Sequence, residues 1–111
     1  MLVVVDMFFC CIYSTNMKAI VISPATLEKL ETRHKVSRRE IEQCFENREG
    51  QYFEDIREEH KTDPATLWFV SPTNQNRILK VIFVFNNGNI YIKSAYDAKP
   101  VNIEMYANLN K

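Results

Sequence analysis

The spacing of apolar residues predicts a strand and a helix at the start of the chain's regular pattern. Residues 18–22 form a short run rich in β-branched side chains, which favours a strand. Ser23 and Pro24 then predict a helix start, because serine caps the first turn and proline suits the first helical position. We expect this helix to end near His34 or Lys35.

A second helix is predicted by a capping box at Ser37 and Glu40, in which each side chain bonds the backbone of the other residue. The apolar residues that follow have the i, i+3, i+4 spacing of a buried helix face, and they are Ile41, Cys44 and Phe45. Gly50 is the expected C-terminal cap of this helix.

The pattern then changes to that of strands. Residues 51–56 alternate in polarity, and residues 66–70 form a compact apolar run that contains Trp68. Between them, residues 57–64 are polar and end in a proline, so they are predicted to form a loop.

A β-hairpin is the strongest element of the pattern. Its strands are predicted over residues 77–85 and 90–95, joined at Asn86-Asn87-Gly88-Asn89, because Asn and Gly tolerate positive φ. Pro100 begins a last helix.

The order of elements predicts one α+β domain over residues 17–111. It has two N-terminal helices, an antiparallel β-meander of about four strands and a C-terminal helix. Helices packed on one face of the sheet would leave the other face available.

The first sixteen residues do not fit this plan. Up to Tyr13 they are apolar apart from Asp6, but the stretch from Met7 to Tyr13 is too short to span a bilayer. The segment also lacks the basic start, the longer apolar run and the cleavage site of a signal peptide. We interpret residues 1–16 as an over-extended start before Met17; a frayed tail or extra strand and a weak membrane anchor are the alternatives.

Composition adds constraints on partners. The formal net charge is zero, so an RNA-binding role must depend on a local basic patch. The three cysteines lack a CxxC spacing, which favours reduced thiols in the cytoplasm. Neither histidine lies near a cysteine pair, so no zinc ligand set can be assembled and we expect no metal. We also expect no cofactor and, because the apolar stretch near the start is too short to span a bilayer, no membrane partner.

The candidate functional residues fall into three groups. His34 and Lys35 end the first helix, where a cation also compensates the helix dipole. The polar loop contains Arg57, His60 and Lys61, and it is either a binding loop or a solvated charge run.

The third group lies on the hairpin. Arg77, Lys80 and Lys93 are either phosphate contacts or charges on an exposed sheet face. Alternation places Arg77 on one face of its strand and Lys80 on the other. The aromatic residues Trp68, Tyr91 and Tyr96 either stack on bases or belong to the core.

Two stretches resemble the BrnT family of bacterial toxins, which have a fold similar to the RelE toxins. The first is His34-Lys35-Val36-Ser37, followed by Glu40 and Phe45. The second is the hairpin, with Arg77-Ile78-Leu79-Lys80-Val81-Ile82-Phe83 and Ile90-Tyr91-Ile92-Lys93-Ser94-Ala95-Tyr96.

The resemblance implies a type II toxin that cleaves messenger RNA without a metal and pairs with a cognate antitoxin. Such chemistry uses the ribose 2′-hydroxyl as nucleophile, with a base, an acid and cations around the phosphorus. The implied catalytic residues are His34, Arg57, His60, Arg77 and Lys93. The implied RNA-binding residues are Lys35, Lys61, Lys80 and Tyr96.

The chain departs from the family at two positions. Tyr96 stands where an arginine is usual, and Tyr91 where a basic residue is common. Both departures remove phosphate-binding charge and predict a weakened nuclease. A non-catalytic binding module with the same fold is the alternative function.

A second resemblance covers residues 54–70. This stretch is similar to short proteobacterial proteins labelled ADP-ribosyl-(dinitrogen reductase) hydrolase. Genuine enzymes of that name are large helical proteins with a carboxylate-bound metal pair, and this chain lacks that arrangement of acidic residues.

Overall fold

The computed structural model describes residues 20–55 and 65–110, which form an α+β structure as the sequence predicts. In chain order the regular elements are β1 (Ile20–Val21), α1 (Pro24–Lys29), α2 (Arg38–Asn47), β2 (Phe53–Glu54), β3 (Thr66–Pro72), β4 (Ile78–Asn86), β5 (Asn89–Asp97) and α3 (Pro100–Leu109). The predicted loop at 57–64 and the predicted N-terminal extension lie outside the described residues. Within the described ranges, no helix has the length and apolar character needed to cross a bilayer.

The described strands form one mixed sheet in the order β1-β5-β4-β3-β2. Strands β2 to β5 are antiparallel neighbours in chain order. Strand β1 adds to β5 in parallel, with Ile20 opposite Ile90. The sheet therefore has five described strands and is mixed, because the strand predicted near residues 18–22 joins it in parallel. A local pattern does not predict the pairing of β1, because Ile20 and its partner Ile90 are about seventy positions apart in the chain.

The first helix ends where the sequence predicts. Helix α1 continues as a π-helical turn, Leu30–His34, and Lys35 follows in the left-handed conformation with φ 56°. The Val36 amide donates to the Leu30 carbonyl at 2.9 Å, which closes the helix end. The lysine lies at a backbone position that glycine usually occupies.

The capping box of α2 is also confirmed. The Ser37 amide donates to Glu40 Oε1 at 3.0 Å, and the Glu40 amide donates to Ser37 Oγ at 3.2 Å. These bonds satisfy amides at the start of the helix that have no partner within it. The start of α2 is therefore set by residues next to each other in sequence.

The predicted role of Gly50 is wrong. Helix α2 ends at Asn47, and Gly50 does not adopt positive φ. A Cβ at this position would lie 2.5 Å from Tyr106 Oη and 2.6 Å from Asn110 Nδ2. Glycine is needed here because helix α3 approaches the backbone closely.

The two faces of the sheet bury different aromatic groups. On the core face, the Phe45 ring of α2 lies 4.8 Å from Phe69 and 5.4 Å from Phe83. On the opposite face, which we call the outer face, Trp68 lies 5.8 Å from Tyr106 of α3. The helices thus pack on both faces, and α3 covers the β3 part of the outer face.

The predicted position of the hairpin turn is confirmed. Asn87 and Gly88 both have positive φ, at 53° and 82°, as a two-residue type I′ turn requires. This turn suits the twist of the strands on either side. It fixes the register of β4 and β5, which carry most of the candidate residues.

Candidate functional site on the outer sheet face

A β-bulge at Lys93 determines which side chains share the outer face. Ile82 pairs with Ser94, but the next residue, Phe83, pairs with Ile92. Lys93 is therefore an extra residue in β5 without a partner in β4. The alternation of β5 changes phase at this residue.

The change of phase brings Lys93 and Tyr96 to the same face. Strict alternation would place them on opposite faces, because they are three residues apart. With the bulge, Ile92 and Ala95 are both buried on the core face, while Lys93 is exposed. Tyr96 pairs with Lys80, so both belong to the outer face.

We call the surface formed by Lys80, Lys93, Tyr96 and His34 the lysine–tyrosine patch. His34 joins it from the end of the π-helical turn, with its ring 5.7 Å from the Tyr96 ring at an angle of 47°. The patch unites residues from the first helix and both hairpin strands. Tyr96 thus pairs with Lys80 and contacts the His34 ring, and Lys93 lies farther along the same face of β5.

Lys80 is oriented by the indole beneath it. Its Nζ lies 4.6 Å from the centroid of the Trp68 ring, within the range of a cation–π interaction. Trp68 is 7% exposed and belongs to the hydrophobic core. The tryptophan therefore supports the patch from below and exposes little surface for stacking.

Arg77 lies at the edge of the patch, at the end of the turn between β3 and β4. Thr73 orders this turn, because its Oγ1 accepts from the Arg77 amide at 3.2 Å and its own amide donates to the Arg77 carbonyl at 2.7 Å. Asn76 adopts positive φ of 66°, which asparagine tolerates. The backbone of Arg77 is therefore held locally.

The Arg77 guanidinium is surrounded by protein oxygens. Its Nε donates to Asp97 Oδ1 at 2.7 Å, and Nη2 donates to Asp97 Oδ2 at 3.3 Å. Nη2 also donates to the His34 carbonyl at 2.8 Å. Nη1 donates to the Lys35 carbonyl at 2.6 Å and to Glu40 Oε2 at 3.1 Å. One side chain therefore joins the first helix, α2 and β5.

The charges of this cluster shift the pKa values of its members. The hydrogen bond from Arg77 lowers the pKa of Asp97, with smaller charge contributions from Arg77 and His34. The hydrogen bond to Asp97 raises the pKa of Arg77, against the opposing effect of burial. Each partner thus stabilises the charged form of the other.

Other candidate residues have different surroundings. Lys35 is exposed. Its contact with Arg77 is made by its backbone carbonyl, which accepts from the guanidinium. Tyr91 is 37% exposed at the turn end of β5. Arg57, His60 and Lys61 lie outside the described residues, so their relation to the patch stays a prediction.

The sequence does not identify two members of the Arg77 cluster as parts of a site. Asp97 lies outside the strand predicted over residues 90–95, and Glu40 is predicted only as part of the capping box of α2. Their common signal is weak in sequence, because Glu40, Arg77 and Asp97 come from three separate elements. Only the fold places them around one guanidinium.

Cys44 is unsuited to nucleophilic chemistry. It is fully buried, and its Sγ contacts the Ser71 carbonyl at 3.4 Å. Burial raises the pKa of its thiol to about 12, and the Glu40 charge adds to the effect while Arg77 opposes it. In the described parts of the chain, no group of three His, Cys, Asp or Glu side chains is placed to hold a metal ion.

No protein-family model and no curated protein matches the chain. The relationship to BrnT toxins therefore stays a prediction from the sequence motifs. Residues 56–64, the middle of the stretch that resembles the labelled hydrolases, lie outside the described residues.

Proposed function

We propose that the chain is a BrnT-like, RelE-superfamily endoribonuclease of weakened activity, which binds and cleaves single-stranded RNA at the lysine–tyrosine patch. The observation that carries the proposal is the bulge at Lys93. It places Lys93 and Tyr96 on the same face as Lys80, beside His34. An imidazole, two ammonium groups and a phenol ring thereby lie on one surface.

The residues of the patch match the requirements of metal-independent RNA cleavage. Attack by the 2′-hydroxyl needs a group to remove its proton and another to protonate the leaving oxygen. An imidazole is the side chain that most often removes or gives a proton in such reactions, so His34 suits the first of these roles. Lys80 and Lys93 supply positive charge for the phosphate as negative charge develops on its oxygens.

Tyr96 has a role of its own in this proposal. Its ring is half-buried and lies beside the His34 ring, so part of the side chain is accessible to a ligand. A base of single-stranded RNA gains stacking energy on such a ring, at about 1–3 kcal/mol per base. Tyr96 thus replaces a charge contact with a stacking contact at the position where relatives of the BrnT type place an arginine.

The preference for single-stranded RNA follows from the shape of the patch. Its cations and rings lie on a sheet face, where unpaired bases can lie flat and the backbone can follow the lysines. The chain has no net charge, so affinity must come from this local arrangement. We expect binding to weaken strongly as salt concentration rises.

The alternative is a non-catalytic binding module that uses the same face. It is favoured by the environment of Arg77, whose guanidinium is engaged by Asp97, Glu40 and two carbonyls. Because the Arg77 guanidinium is bonded to protein groups, the patch provides less positive charge to stabilise the transition state of RNA cleavage. Binding of RNA without cleavage would support this alternative.

Cleavage of a labelled single-stranded RNA by the purified chain is the direct test. We expect cleavage in the presence of EDTA, products with 2′,3′-cyclic phosphate ends, and no cleavage at a 2′-deoxy position. His34→Ala is expected to lower the cleavage rate by at least about 10²-fold, as for loss of a general base. Lys29→Ala is the matched control, because Lys29 is an exposed lysine of α1 outside the patch.

Inducible expression tests the same proposal in cells. We expect degraded RNA and slowed growth with the wild-type chain, and recovery with Lys93→Ala or with the double variant Arg57→Ala/His60→Ala. Intact RNA and normal growth with the wild-type chain, together with no binding of RNA by the purified protein, would rule out both functions. A neighbouring gene for a small DNA-binding antitoxin would support the toxin.

A further inference from the structure

We infer that Arg77 acts as a positioning residue for His34 and does not contact the RNA phosphate. The inference deepens the proposed function, since it assumes that the lysine–tyrosine patch is the site of RNA binding. It concerns the one candidate arginine of the hairpin, which the resemblance implies to be catalytic. The argument depends on the geometry of its guanidinium.

Every N–H group of the Arg77 guanidinium has a protein acceptor. A guanidinium has five N–H donors, one on Nε and two on each Nη. Nε donates to Asp97, Nη1 to the Lys35 carbonyl and Glu40, and Nη2 to the His34 carbonyl and Asp97. A phosphate oxygen would therefore have to displace one of these partners.

Displacing the His34 or Lys35 carbonyl from Arg77 would destabilise the end of the first helix. The His34 and Lys35 carbonyls end the π-helical turn, where the backbone lacks further intrahelical donors. Lys35 also adopts left-handed φ of 56°, a conformation that its side chain disfavours. Arg77 stabilises this turn by binding both carbonyls and by placing a cation at the helix end.

The same contacts hold the backbone from which the His34 ring projects. Arg77 Nη2 donates to the His34 carbonyl at 2.8 Å, while Asp97 anchors the guanidinium to the end of β5. Asp97 follows Tyr96 directly in that strand. The contacts from His34 through Arg77 to Asp97 thus connect the backbone of His34 to that of Tyr96, whose rings lie 5.7 Å apart.

Glu40 completes the arrangement from the side of α2. Its carboxylate accepts from the Ser37 amide at 3.0 Å and from Arg77 Nη1 at 3.1 Å. The residues between the π-helical turn and α2 are therefore held at both ends. This leaves the connection with little freedom to move the His34 ring away from Tyr96.

Nuclear Overhauser contacts between the His34 and Tyr96 rings test the inference without RNA. Arg77→Lys keeps the charge but cannot serve four acceptor groups at once, so we expect these contacts to be lost. Asp97→Ala removes one anchor of the guanidinium and is expected to weaken them. The Asp97 side chain is 68% exposed, so we expect Asp97→Ala to fold. This variant therefore tests the inference even where Arg77→Lys fails to fold.

Arg38→Lys is the matched control. Arg38 also joins a backbone carbonyl to a carboxylate, with Nη2 on the Ile20 carbonyl at 2.6 Å and Nε on Glu42 at 2.9 Å. These contacts lie at β1, so the His34–Tyr96 ring contacts should persist. Retention of the ring contacts in both Arg77→Lys and Asp97→Ala would overturn the inference.

The RNA assay separates positioning from phosphate contact. If Arg77 positions His34, Asp97→Ala slows cleavage by up to about 10²-fold, as expected for a small misplacement of a catalytic group. The salt dependence of RNA binding then stays unchanged. If Arg77 contacts phosphate, Asp97→Ala releases its donors, and binding tightens with a steeper salt dependence, by about 0.7 in the logarithmic slope per contact. Tighter binding of that kind would contradict the inference.

The two arms also distinguish this inference from the proposed function. Absence of RNA cleavage by the wild-type chain would refute the nuclease and leave the nuclear Overhauser result to decide the role of Arg77. Loss of the ring contacts without any change in cleavage would refute the link between His34 placement and activity. Loss of both together supports positioning.

Discussion

Lys80 Nζ lies 4.6 Å from the centroid of the Trp68 ring, so a cation of the proposed RNA surface rests on a buried indole. Trp68 is the single tryptophan of the chain, so tryptophan fluorescence reports on the surroundings of this one indole, Lys80 among them. The relationship links the packing of the sheet to the chemistry of its outer face.

Binding of RNA should therefore change the fluorescence of Trp68. We expect a single-stranded oligonucleotide to shift or quench the emission, because a phosphate near Lys80 draws the ammonium from the ring. Lys80→Met should reduce the response and lower the free energy of unfolding by about 0.5–1 kcal/mol, through loss of the cation–π interaction. An unchanged response in Lys80→Met would show that RNA binds away from this pair.

Deletion of Lys93 should remove the bulge without unfolding the sheet. The residues on either side, Ile92 and Ser94, already pair with neighbouring residues of β4, so a regular ladder results. We expect the free energy of unfolding to change by less than about 1 kcal/mol, while RNA binding weakens as in Lys93→Ala. Urea unfolding and a filter-binding assay measure the two effects; a failure to fold would show that the bulge is needed for the twist of the hairpin.

Acid should weaken the contact between Arg77 and Asp97. The folded-state pKa of Asp97 is lowered, so its contribution to stability is present above the unfolded value of about 3.9 and is lost as the pH falls through the folded value. The contribution is at most about 1 kcal/mol, because the Asp97 side chain is largely exposed. Urea unfolding between pH 7 and pH 2.5 should show a smaller loss in Asp97→Asn than in the wild-type chain.

Cys44 should be unreactive in the folded chain. Burial raises the pKa of its thiol to about 12, so little thiolate forms at neutral pH and the group is also inaccessible. In a background with Cys10→Ser and Cys11→Ser, we expect no labelling by iodoacetamide until urea unfolds the protein. Labelling of the native chain at the rate of a free thiol would contradict the packing of α2 on the sheet.

Gly50→Ala should destabilise the contact between α3 and the chain after α2. The new Cβ would lie 2.5 Å from Tyr106 Oη, whose hydroxyl donates to the Gln51 carbonyl at 2.8 Å. We expect a loss of about 1–3 kcal/mol in the free energy of unfolding, as for overpacking. In a Tyr106→Phe background the loss should be smaller, and an equal loss in both backgrounds would locate the strain at Asn110 instead.

Much of the local structure was predictable because it depends on neighbouring residues. The Ser37–Glu40 capping box and the Asn87–Gly88 turn are each specified within four positions, and both form as predicted. The role of Gly50 was not predictable. It depends on Tyr106, which contacts this position in space but lies more than fifty residues later in the chain.

The candidate site divides in the same way. His34, Lys80, Lys93 and Tyr96 are candidates by residue type and by the resemblance to BrnT toxins. Their common surface was not predictable, because alternation alone separates Lys93 from Tyr96 by face. The bulge between them results from pairing with β4, which no window of β5 encodes.

The sequence by itself determined the α+β class, the helix starts, the hairpin and the residue types available for RNA chemistry, since propensity, capping and turn geometry act over a few neighbouring residues. The tertiary structure decided the addition of β1 to the sheet, the phase of β5 and the surroundings of Arg77. These features depend on contacts between elements far apart in the chain. The guanidinium of Arg77 illustrates the difference: its charge is fixed by residue type, but its partners are supplied by three elements that only folding brings together.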